Sequence, residues 1–242
     1  MSRLVTATLL LLFSSFIYAT EAVPTYQAAM DEMAAKWKKS DKPSPLTDED
    51  RATMKSFNAY LAKTMPNPGI QVGQKAPNFT LKNAFGHTIT LADELKKGPV
   101  VLVFYRGSWC PYCNLHLHVL QKAKPEFEKY GAQIIAVTPQ TPDRSAAQIK
   151  KDGYPFEVLS DSDSQVMKDY QLFFKLSDDL MAIYKKFDIN LEAYNGQGRN
   201  VLPVPGGFVI DSSGTVVAME AQTDYKSRIE PATIIAALKK IK

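Results

Sequence analysis

Cysteine is scarce in this sequence: the 242-residue chain has only two, Cys110 and Cys113. A secreted domain held together by disulfides would need more cysteines, more widely spaced. A bridge between residues this close encloses too short a loop to restrict the unfolded chain much. The scarcity of cysteine therefore excludes a disulfide scaffold, and it predicts that this pair carries out chemistry.

Strong charge of one sign, internal repeats and low-complexity segments are also lacking. The formal net charge is +4, and no run of five basic residues occurs, so we expect no nucleic-acid partner. Hydrophobic residues make up 45% and charged residues 22% of the chain, which is ordinary for a globular protein. A length of 242 residues accommodates one domain of moderate size and an appendage.

A long apolar run occurs only near the N-terminus. Arg3 is followed by an apolar stretch over residues 4–17 and then by the small residues Ala19 and Ala22, which is the pattern of an export signal. We predict a signal peptide over residues 1–19, with Ala22 as the alternative cleavage site, and a periplasmic or otherwise secreted protein. The run is short for a bilayer span of about 20 residues, so an uncleaved membrane anchor is the alternative.

The next segment, residues 24–68, is predicted to be a helical N-terminal extension with two helices. Apolar residues recur at helical spacing over 26–39. Thr47, with Asp50 three positions later, has the pattern of a capping box that begins the second helix. We expect this extension to serve as a packing appendage or as the contact of a homodimer.

Residues 70–242 show the alternation of strands and helices that predicts an α/β fold closed by an antiparallel hairpin. The run 100–105 is continuously apolar, as in a central buried strand. Hairpins are predicted over the turns at 83–86 and 212–214. A last helix is predicted from Pro231, since proline suits the first helical position, whereas residues 189–200 are predicted to be loop.

The two cysteines lie where the central strand gives way to a helix, and Trp109 precedes them. A helix N-terminus carries partial positive charge and free N–H groups, which lower the pKa of a cysteine placed there. Pro111 fits the first helical position, and Cys113 lies one turn on, within reach of Cys110. We predict that Cys110 attacks a substrate disulfide and that Cys113 resolves the mixed disulfide.

A metal carrier is the alternative of a different class. Cys110, Cys113, His116 and His118 form a Cys-x2-Cys-x2-His-x-His cluster that zinc or copper could use. Residues two apart on a helix point to different faces, however, and a structural zinc site needs four convergent ligands. We therefore predict neither metal nor cofactor, and we expect His116, His118 and His87 to be solvated at the surface.

From residue 72 onward the chain resembles the peroxiredoxin-like (AhpC/TSA) family of the thioredoxin-fold superfamily, in the subgroup whose site reads Cys-Pro-Tyr-Cys. The resemblance is carried by residues 72–81, 100–105, 156–161 and 206–214, the last with a Gly-Phe-Val-Ile-Asp core. It implies a thioredoxin-like α/β sandwich with a central mixed sheet over residues 70–242, and an antioxidant thiol oxidoreductase. We also predict that Trp109, Tyr112 and Val204 support the dithiol. The resemblance further implies that a cis Pro205 faces it, and an ordinary trans loop proline is the alternative.

The chain departs from the family pattern Pro-x-x-x-Thr-x-x-Cys in ways that bear on the substrate. Alignment on residues 104–105 places the family's peroxide-reactive cysteine on Cys113, its threonine on Cys110 and its arginine on Pro205. The threonine and arginine that orient peroxide are thus replaced. Two activities stay open: thiol–disulfide exchange with a protein substrate, which we favour, and hydroperoxide reduction. Either would draw electrons from an external thiol donor.

Two arginines are candidates for the missing positive charge. The topology of the resembled fold returns residues 222–228, including Asp224 and Tyr225, to the edge of the sheet that carries the dithiol. We therefore predict that Arg228 or Arg106, which lies on the same edge, lowers the thiol pKa and holds the substrate. The alternative for Arg228 is a surface ion pair with Asp224 at helical spacing.

Overall fold

A computed structural model describes residues 22–40 and 43–241. The predicted signal peptide over residues 1–19 lies outside the described residues. Within the part of the chain that is described, no helix is both long enough and apolar enough to cross a membrane.

Helices and strands alternate over most of the chain. The helices are α1 (Tyr26–Lys38), α2 (Asp48–Thr64), α3 (Leu91–Leu95), α4 (Pro111–Glu128), α5 (Pro142–Asp152), α6 (Gln165–Asp169), α7 (Asp178–Lys185), α8 (Leu191–Asn195) and α9 (Pro231–Lys240). The strands are β1 (Thr80–Asn83), β2 (Thr88–Thr90), β3 (Val100–Phe104), β4 (Gln133–Thr138), β5 (Glu157–Ser160), β6 (Phe173–Lys175), β7 (Val201–Pro203), β8 (Gly206–Ile210) and β9 (Val216–Ala221).

A seven-stranded mixed sheet forms the centre, in the order β2-β1-β5-β4-β3-β8-β9. The apolar strand β3 lies in its interior, parallel to β4 and antiparallel to β8. The hairpins β1–β2 and β8–β9 are antiparallel, as the turn residues predicted. A second, two-stranded sheet pairs β6 with β7. The expected α/β sandwich with a central mixed sheet is therefore confirmed.

Alternate side chains of β3 enter two different hydrophobic clusters, one on each face of the sheet. Leu102 and Phe104 pack into the cluster that contains Tyr170 and Phe208. The opposite cluster contains Val103 and both cysteines, together with apolar residues of α4 and α9. Because α4 lies against this second face, its N-terminus is held at the end of β3, and the dithiol is built into the core.

The two N-terminal helices pack against the rest of the molecule at the end that carries the dithiol. Helix α1 contacts α4, and α2 contacts α7. The predicted capping box is present: Asp50 N donates to Thr47 Oγ1 at 3.2 Å, and Thr47 N donates to Asp50 Oδ2 at 2.7 Å. Lys186 Nζ, just beyond α7, lies 2.6 Å from the same carboxylate. Asp50 therefore completes the capping box and also ties the start of α2 to the end of α7.

Four short elements were not predicted from the sequence: α3, α8, β6 and β7. Residues 189–200 were expected to be loop, yet they contain the five-residue helix α8, whose N-cap Asn190 accepts a hydrogen bond from Glu192 N. A helix of this length has too few residues to show a helical period.

Gly207 of β8 allows the segment before α9 to approach the sheet. A Cβ at this position would lie 2.3 Å from Cγ2 of Ile229, closer than two carbon atoms can approach. We expect Gly207→Ala to lower the free energy of unfolding by about 1–3 kcal/mol, as overpacking does, measured by urea denaturation. In an Ile229→Ala background the cost should shrink because the clashing methyl group is gone. An equal cost in both backgrounds would contradict this explanation.

Candidate active site

The dithiol lies at the start of α4, where the chain leaves β3. Cys110 is the N-cap residue and Pro111 occupies the first turn. The carbonyl oxygen of Cys110 accepts hydrogen bonds from the backbone N–H groups of Cys113 and Asn114, both at 3.1 Å. The two Sγ atoms lie 2.7 Å apart and share a hydrogen bond. Both cysteines are free thiols in this structure.

Both sulfurs are buried, which the sequence did not predict. We expected the first cysteine to be the more exposed, but Cys110 is 1% exposed and Cys113 is 0% exposed. They belong to the hydrophobic cluster that contains Val103, Leu117 and Val209. In such surroundings a thiolate needs a nearby positive charge, because burial alone disfavours the anion.

Arg228 supplies that charge at contact distance. Its guanidinium Nη2 donates to Cys113 Sγ at 3.2 Å, and its Nη1 donates to the carbonyl oxygens of Tyr225 and Ser227, both at 2.6 Å. The side chain is buried, so the alternative of a surface ion pair with Asp224 is wrong. The carbonyls of its own turn aim the guanidinium inward, whereas the carboxylate of Asp224 accepts from the backbone of Lys226.

Arg106 provides a second buried cation beside the dithiol. Its guanidinium lies over the rings of Trp109 and Tyr225, each with its centroid 4.8 Å away, and it donates to Tyr184 Oη. Arginine stays protonated in proteins, so its charge persists when it is buried. Trp109 also packs against Tyr184, with ring centroids 5.6 Å apart. Aromatic faces therefore fix the position of this cation.

The thiols of the two cysteines differ in pKa and therefore in protonation state. Burial raises the pKa of both thiols, and for Cys110 it prevails, so that its pKa is well above the ordinary value. For Cys113, burial is outweighed by the hydrogen bond with Cys110 and by the charges of Arg228 and Arg106, which together lower its pKa to about 5. The charges of Arg228 and Arg106 thus favour the anion on Cys113. This distribution is the reverse of the one expected from the sequence.

A pH titration of the thiolate is expected to reflect this difference. The pKa of Cys113 lies near 5, so its thiolate should be present throughout the neutral range and be lost as the pH falls through about 5. The ultraviolet absorbance of the thiolate, recorded from acid to neutral pH on the reduced protein, measures this directly. Cys113→Ser should remove the acidic transition, and Cys110→Ser should leave one. A single transition above pH 8 in the reduced wild-type protein would contradict the assignment.

The expectation that His116 is solvated is wrong. It lies on α4, one turn beyond Cys113, and it is only 3% exposed. Its Nε2–H donates to the carbonyl oxygen of Ile229 at 3.1 Å, and its ring meets the edge of Tyr26. Burial and the charge of Arg228 lower the pKa of His116 to about 3, so the ring is neutral at physiological pH. Its hydrogen-bond acceptor and its ring contact are both protein groups.

The remaining histidines lie apart from the dithiol chemistry. His118 is half-buried and bonds the carbonyl oxygen of Asn114 through Nδ1 at 2.7 Å, whereas His87 is exposed. Over residues 22–40 and 43–241, no three histidine, cysteine or acidic side chains are grouped so that they could hold a metal ion. The cluster of four ligands considered from the sequence is therefore not assembled.

Pro205 lies at the site, but its peptide bond is not cis. No cis peptide bond occurs among the described residues, so the expected cis isomer is wrong. The trans isomer of an X–Pro bond is favoured by about 0.5–1 kcal/mol, and Val204 N, which donates to Leu172 O at 2.7 Å, holds the chain in this path. Val204 and Pro205 line a small cavity of about 40 Å³ together with Arg106.

A larger pocket of about 220 Å³ opens beside Cys110. Tyr112 forms part of its wall, and the edge of its ring meets Tyr225, with centroids 5.4 Å apart. Two of the lining residues come from the segment before residue 68, which sequence reasoning had not connected to the site. The mainly apolar wall comprises Leu46, Met54, Trp109, Pro111, Tyr112, Ile183, Phe187 and Ile189.

A buried polar network behind the dithiol was also missed. Gln140 Oε1 accepts from both the N–H and the hydroxyl of Ser108, at 2.9 and 2.7 Å, and so holds the loop that precedes Cys110. Tyr105 Oη donates to Gln148 Oε1 at 2.9 Å, and Gln148 Nε2 donates to Asn114 on α4. Gln140 lies in the loop between β4 and α5, and Gln148 lies on α5. No motif in the sequence connects these glutamines to the dithiol.

The fold and the position of the dithiol define a class: a thioredoxin fold of the peroxiredoxin-like type, with its cysteines at the end of a central strand. The sequence model of the AhpC/TSA family matches residues 72–219, more than half of the chain. The chain therefore belongs to the AhpC/TSA family, and the expected resemblance is confirmed.

Individual relatives agree with this assignment. A thiol-disulfide oxidoreductase ResA from Geobacillus kaustophilus (strain HTA426) is 27% identical over 174 residues, which are 72% of this chain and 80% of that protein. A chloroplastic peroxiredoxin Q from Populus jackii is 32% identical over 101 residues, 42% of this chain. The match spans about half of that peroxiredoxin, 47% of its length. Both relatives are oxidoreductase enzymes by name.

Solved structures show the same fold. The crystal structure of peroxidoxin BcpB from Mycobacterium tuberculosis is similar with a TM-score of 0.57 and 19% sequence identity, over 72% of this chain and 99% of that chain. A thiol peroxidase from Chromobacterium violaceum is similar with a TM-score of 0.55 and 15% identity, over 71% of this chain and 88% of that chain.

Proposed function

We propose that this protein is a thiol-dependent hydroperoxide reductase in which the thiolate of Cys113 is the nucleophile. The observation that carries the proposal is the 3.2 Å contact between the Arg228 guanidinium and Cys113 Sγ in a buried site. A guanidinium at this distance stabilises the anion and can also donate to the oxygen of a bound peroxide. This reverses the roles that the sequence favoured for the two cysteines.

The reaction balances with the groups at the site and an external thiol donor. Cys113 thiolate attacks the terminal oxygen of the hydroperoxide, the O–O bond breaks, and the alkoxide leaves as an alcohol after taking a proton. Cys113 is then a sulfenic acid. The thiol of Cys110 condenses with it, which releases water and forms the Cys110–Cys113 disulfide. Two electrons and two protons from an external dithiol restore the reduced pair.

The burial of the nucleophile favours a small substrate. Cys113 is fully buried, so a disulfide in a folded partner cannot reach its sulfur in this conformation. The resemblance to peroxiredoxins supports the same reading, since their reactive cysteine aligns with Cys113. Cys110 occupies the place of the family threonine and hydrogen-bonds the nucleophile, and Arg228 brings a guanidinium to the site although Pro205 occupies the family arginine position.

The test compares two substrate classes on the same protein. With dithiothreitol as donor, we expect the purified protein to consume cumene hydroperoxide or hydrogen peroxide catalytically, and to reduce insulin disulfides poorly. The double variant Cys110→Ser/Cys113→Ser is the control for the uncatalysed reactions. Catalytic reduction of insulin without consumption of either peroxide would overturn the proposal.

Thiol–disulfide exchange is the second candidate, and a specific observation favours it. Cys110 lines the 220 Å³ apolar pocket, which is large enough for an apolar group next to a substrate disulfide. The relative named as a thiol-disulfide oxidoreductase also aligns over 174 residues, against 101 for the peroxiredoxin Q. In this alternative, Cys110 is the sulfur that the substrate reaches first, and the insulin assay detects the activity.

The proposed location of the protein is outside the cytoplasm. The support is the sequence pattern of Arg3, the stretch 4–17, which is apolar apart from small polar breaks, and the small residues at Ala19 and Ala22. Expression in a Gram-negative host, followed by fractionation and N-terminal sequencing, tests it. A mature chain that begins near residue 20 in the periplasmic fraction is expected, and a full-length chain in the cytoplasm would contradict export. In an oxidising compartment the reduced pair needs a dedicated donor.

A further inference from the structure

Arg228 lies in the segment 226–230, and hydrogen bonds within this segment do not determine where it sits relative to the dithiol. Two hydrogen bonds of the guanidinium go to Tyr225 O and Ser227 O, which belong to the same turn. These bonds orient the side chain within the turn, but they do not hold the turn against the dithiol. The attachments of residues 226–230 to the rest of the molecule therefore decide where the charge lies.

Helix α1 holds this segment on both sides of Arg228. Tyr26 Oη donates to the carbonyl oxygen of Lys226 at 2.8 Å. At the other side, the Glu230 carboxylate accepts from the backbone N–H groups of Tyr26 and Gln27, at 2.7 and 2.9 Å. These N–H groups belong to the first turn of α1, which has no other acceptors for them within the helix. The start of α1 and residues 226–230 are thus held together at three points.

His116 provides a further attachment, from helix α4. It donates to the carbonyl oxygen of Ile229, next to Arg228, at 3.1 Å. It lies on the same face of α4 as Cys113, one turn away, and the ring of Tyr26 meets its edge with centroids 5.5 Å apart. Tyr26 and His116 are both buried. A buried polar group keeps its hydrogen-bond partner, because leaving it unpaired would cost free energy.

We propose that Tyr26 and His116 are positioning residues, which clamp residues 226–230 so that Arg228 stays in contact with the sulfur of Cys113. The inference rests on the proposed role of Cys113 as the thiolate nucleophile. Attraction between a cation and an anion falls with distance, and water that enters a widened gap weakens it further. A loosened clamp therefore acts on the thiolate even though neither residue touches it.

The parts of this clamp lie largely outside the region that the family model matches. That region is 72–219, whereas Tyr26 precedes it and the segment with Arg228 follows it. Only His116 lies inside. The N-terminal extension, whose role the sequence left open, is thereby assigned a function in setting the charge of the site.

Tyr26→Phe in the full chain tests the clamp with the smallest change. Removing the hydroxyl should raise the pKa of Cys113 by about half a unit, part of the one to three units that an adjacent opposite charge supplies. The readout is the thiolate absorbance titration, which requires no substrate. Tyr60→Phe is the matched control, since Tyr60 is exposed on α2, and it should cause no shift. In an Arg228→Ala background, Tyr26→Phe should have no further effect.

His116 variants provide a second, independent arm. His116→Leu should raise the pKa of Cys113, whereas His116→Gln, whose amide can donate to Ile229 O, should restore most of the wild-type value. The inference is overturned if Tyr26→Phe and His116→Leu leave the titration unchanged in folded protein, or if they shift it equally when Arg228 is absent. A clamp effect on the pKa without any peroxide consumption would refute the proposed function alone.

Discussion

Cys113→Ser is expected to abolish turnover of hydroperoxide, with a loss of about 10³-fold or more, because it removes the nucleophile. Cys110→Ser is expected to behave differently. Its Cys113 can still attack the first peroxide, since the charge of Arg228 remains in contact with it, but no thiol follows to form the disulfide. One equivalent of peroxide should be consumed quickly, and then the reaction should stop unless the external thiol reduces the sulfenic acid directly.

The two variants are compared by peroxide consumption per mole of protein and by trapping of the sulfenic acid with dimedone. Cys110→Ser should be labelled at Cys113, and Cys113→Ser should be neither labelled nor active. Retention of turnover in Cys113→Ser, with loss in Cys110→Ser, would restore the assignment that the sequence favoured. The outcome also separates a peroxidase from an exchange enzyme, since exchange produces no sulfenic acid.

Arg228→Ala is expected to have the second largest effect. Loss of the adjacent cation should raise the pKa of Cys113 by about one to three units from its value near 5. The fraction of thiolate at neutral pH therefore falls. Loss of a preorganised donor to the leaving oxygen should lower the rate by about 10²–10³-fold. Raising the pH restores the thiolate, but it does not restore the lost donor.

Two matched variants distinguish the direct contact between Arg228 and Cys113 from the general effect of a nearby positive charge. Arg228→Lys should retain part of the effect, because an ammonium is a point charge without the guanidinium's fork of donors. Lys226→Ala removes a nearby cation whose ammonium lies over the rings of Tyr112 and Tyr225, and it should have little effect. If Arg228→Ala and Lys226→Ala change the titration and the rate equally, the specific contact is not the cause.

Local patterns made the fold predictable. The apolar run 100–105 identified the buried strand β3, and the turn residues identified both hairpins. The capping box of Thr47 and Asp50 located the start of α2 to within one residue. Each of these features depends on residues that are close together in the sequence. The same holds for the start of α4, where a proline follows the N-cap Cys110.

The electrostatics of the site were harder to predict because they depend on distant residues. A helix N-terminus stabilises an anion by about 0.3–1 kcal/mol at an exposed site. A guanidinium in contact with a partly desolvated anion interacts with several times that energy, about 4 kcal/mol at 4 Å for an effective dielectric constant near 20. The first effect favours Cys110 as the anion, whereas the second effect acts on Cys113. His116 could have been found, since it shares the apolar face of α4 with Leu117 and Leu120.

The pairing of a buried thiolate with two buried guanidinia has a consequence for the reduction potential of the dithiol. Among the described residues, neither Arg106 nor Arg228 forms an ion pair with a carboxylate. The thiolate of Cys113 is thus the anion that offsets their charge. A disulfide carries no charge, so oxidation leaves both cations in the core without that partner. The reduced form is stabilised relative to the oxidised one, which places the couple toward the oxidising end of the thioredoxin-fold range.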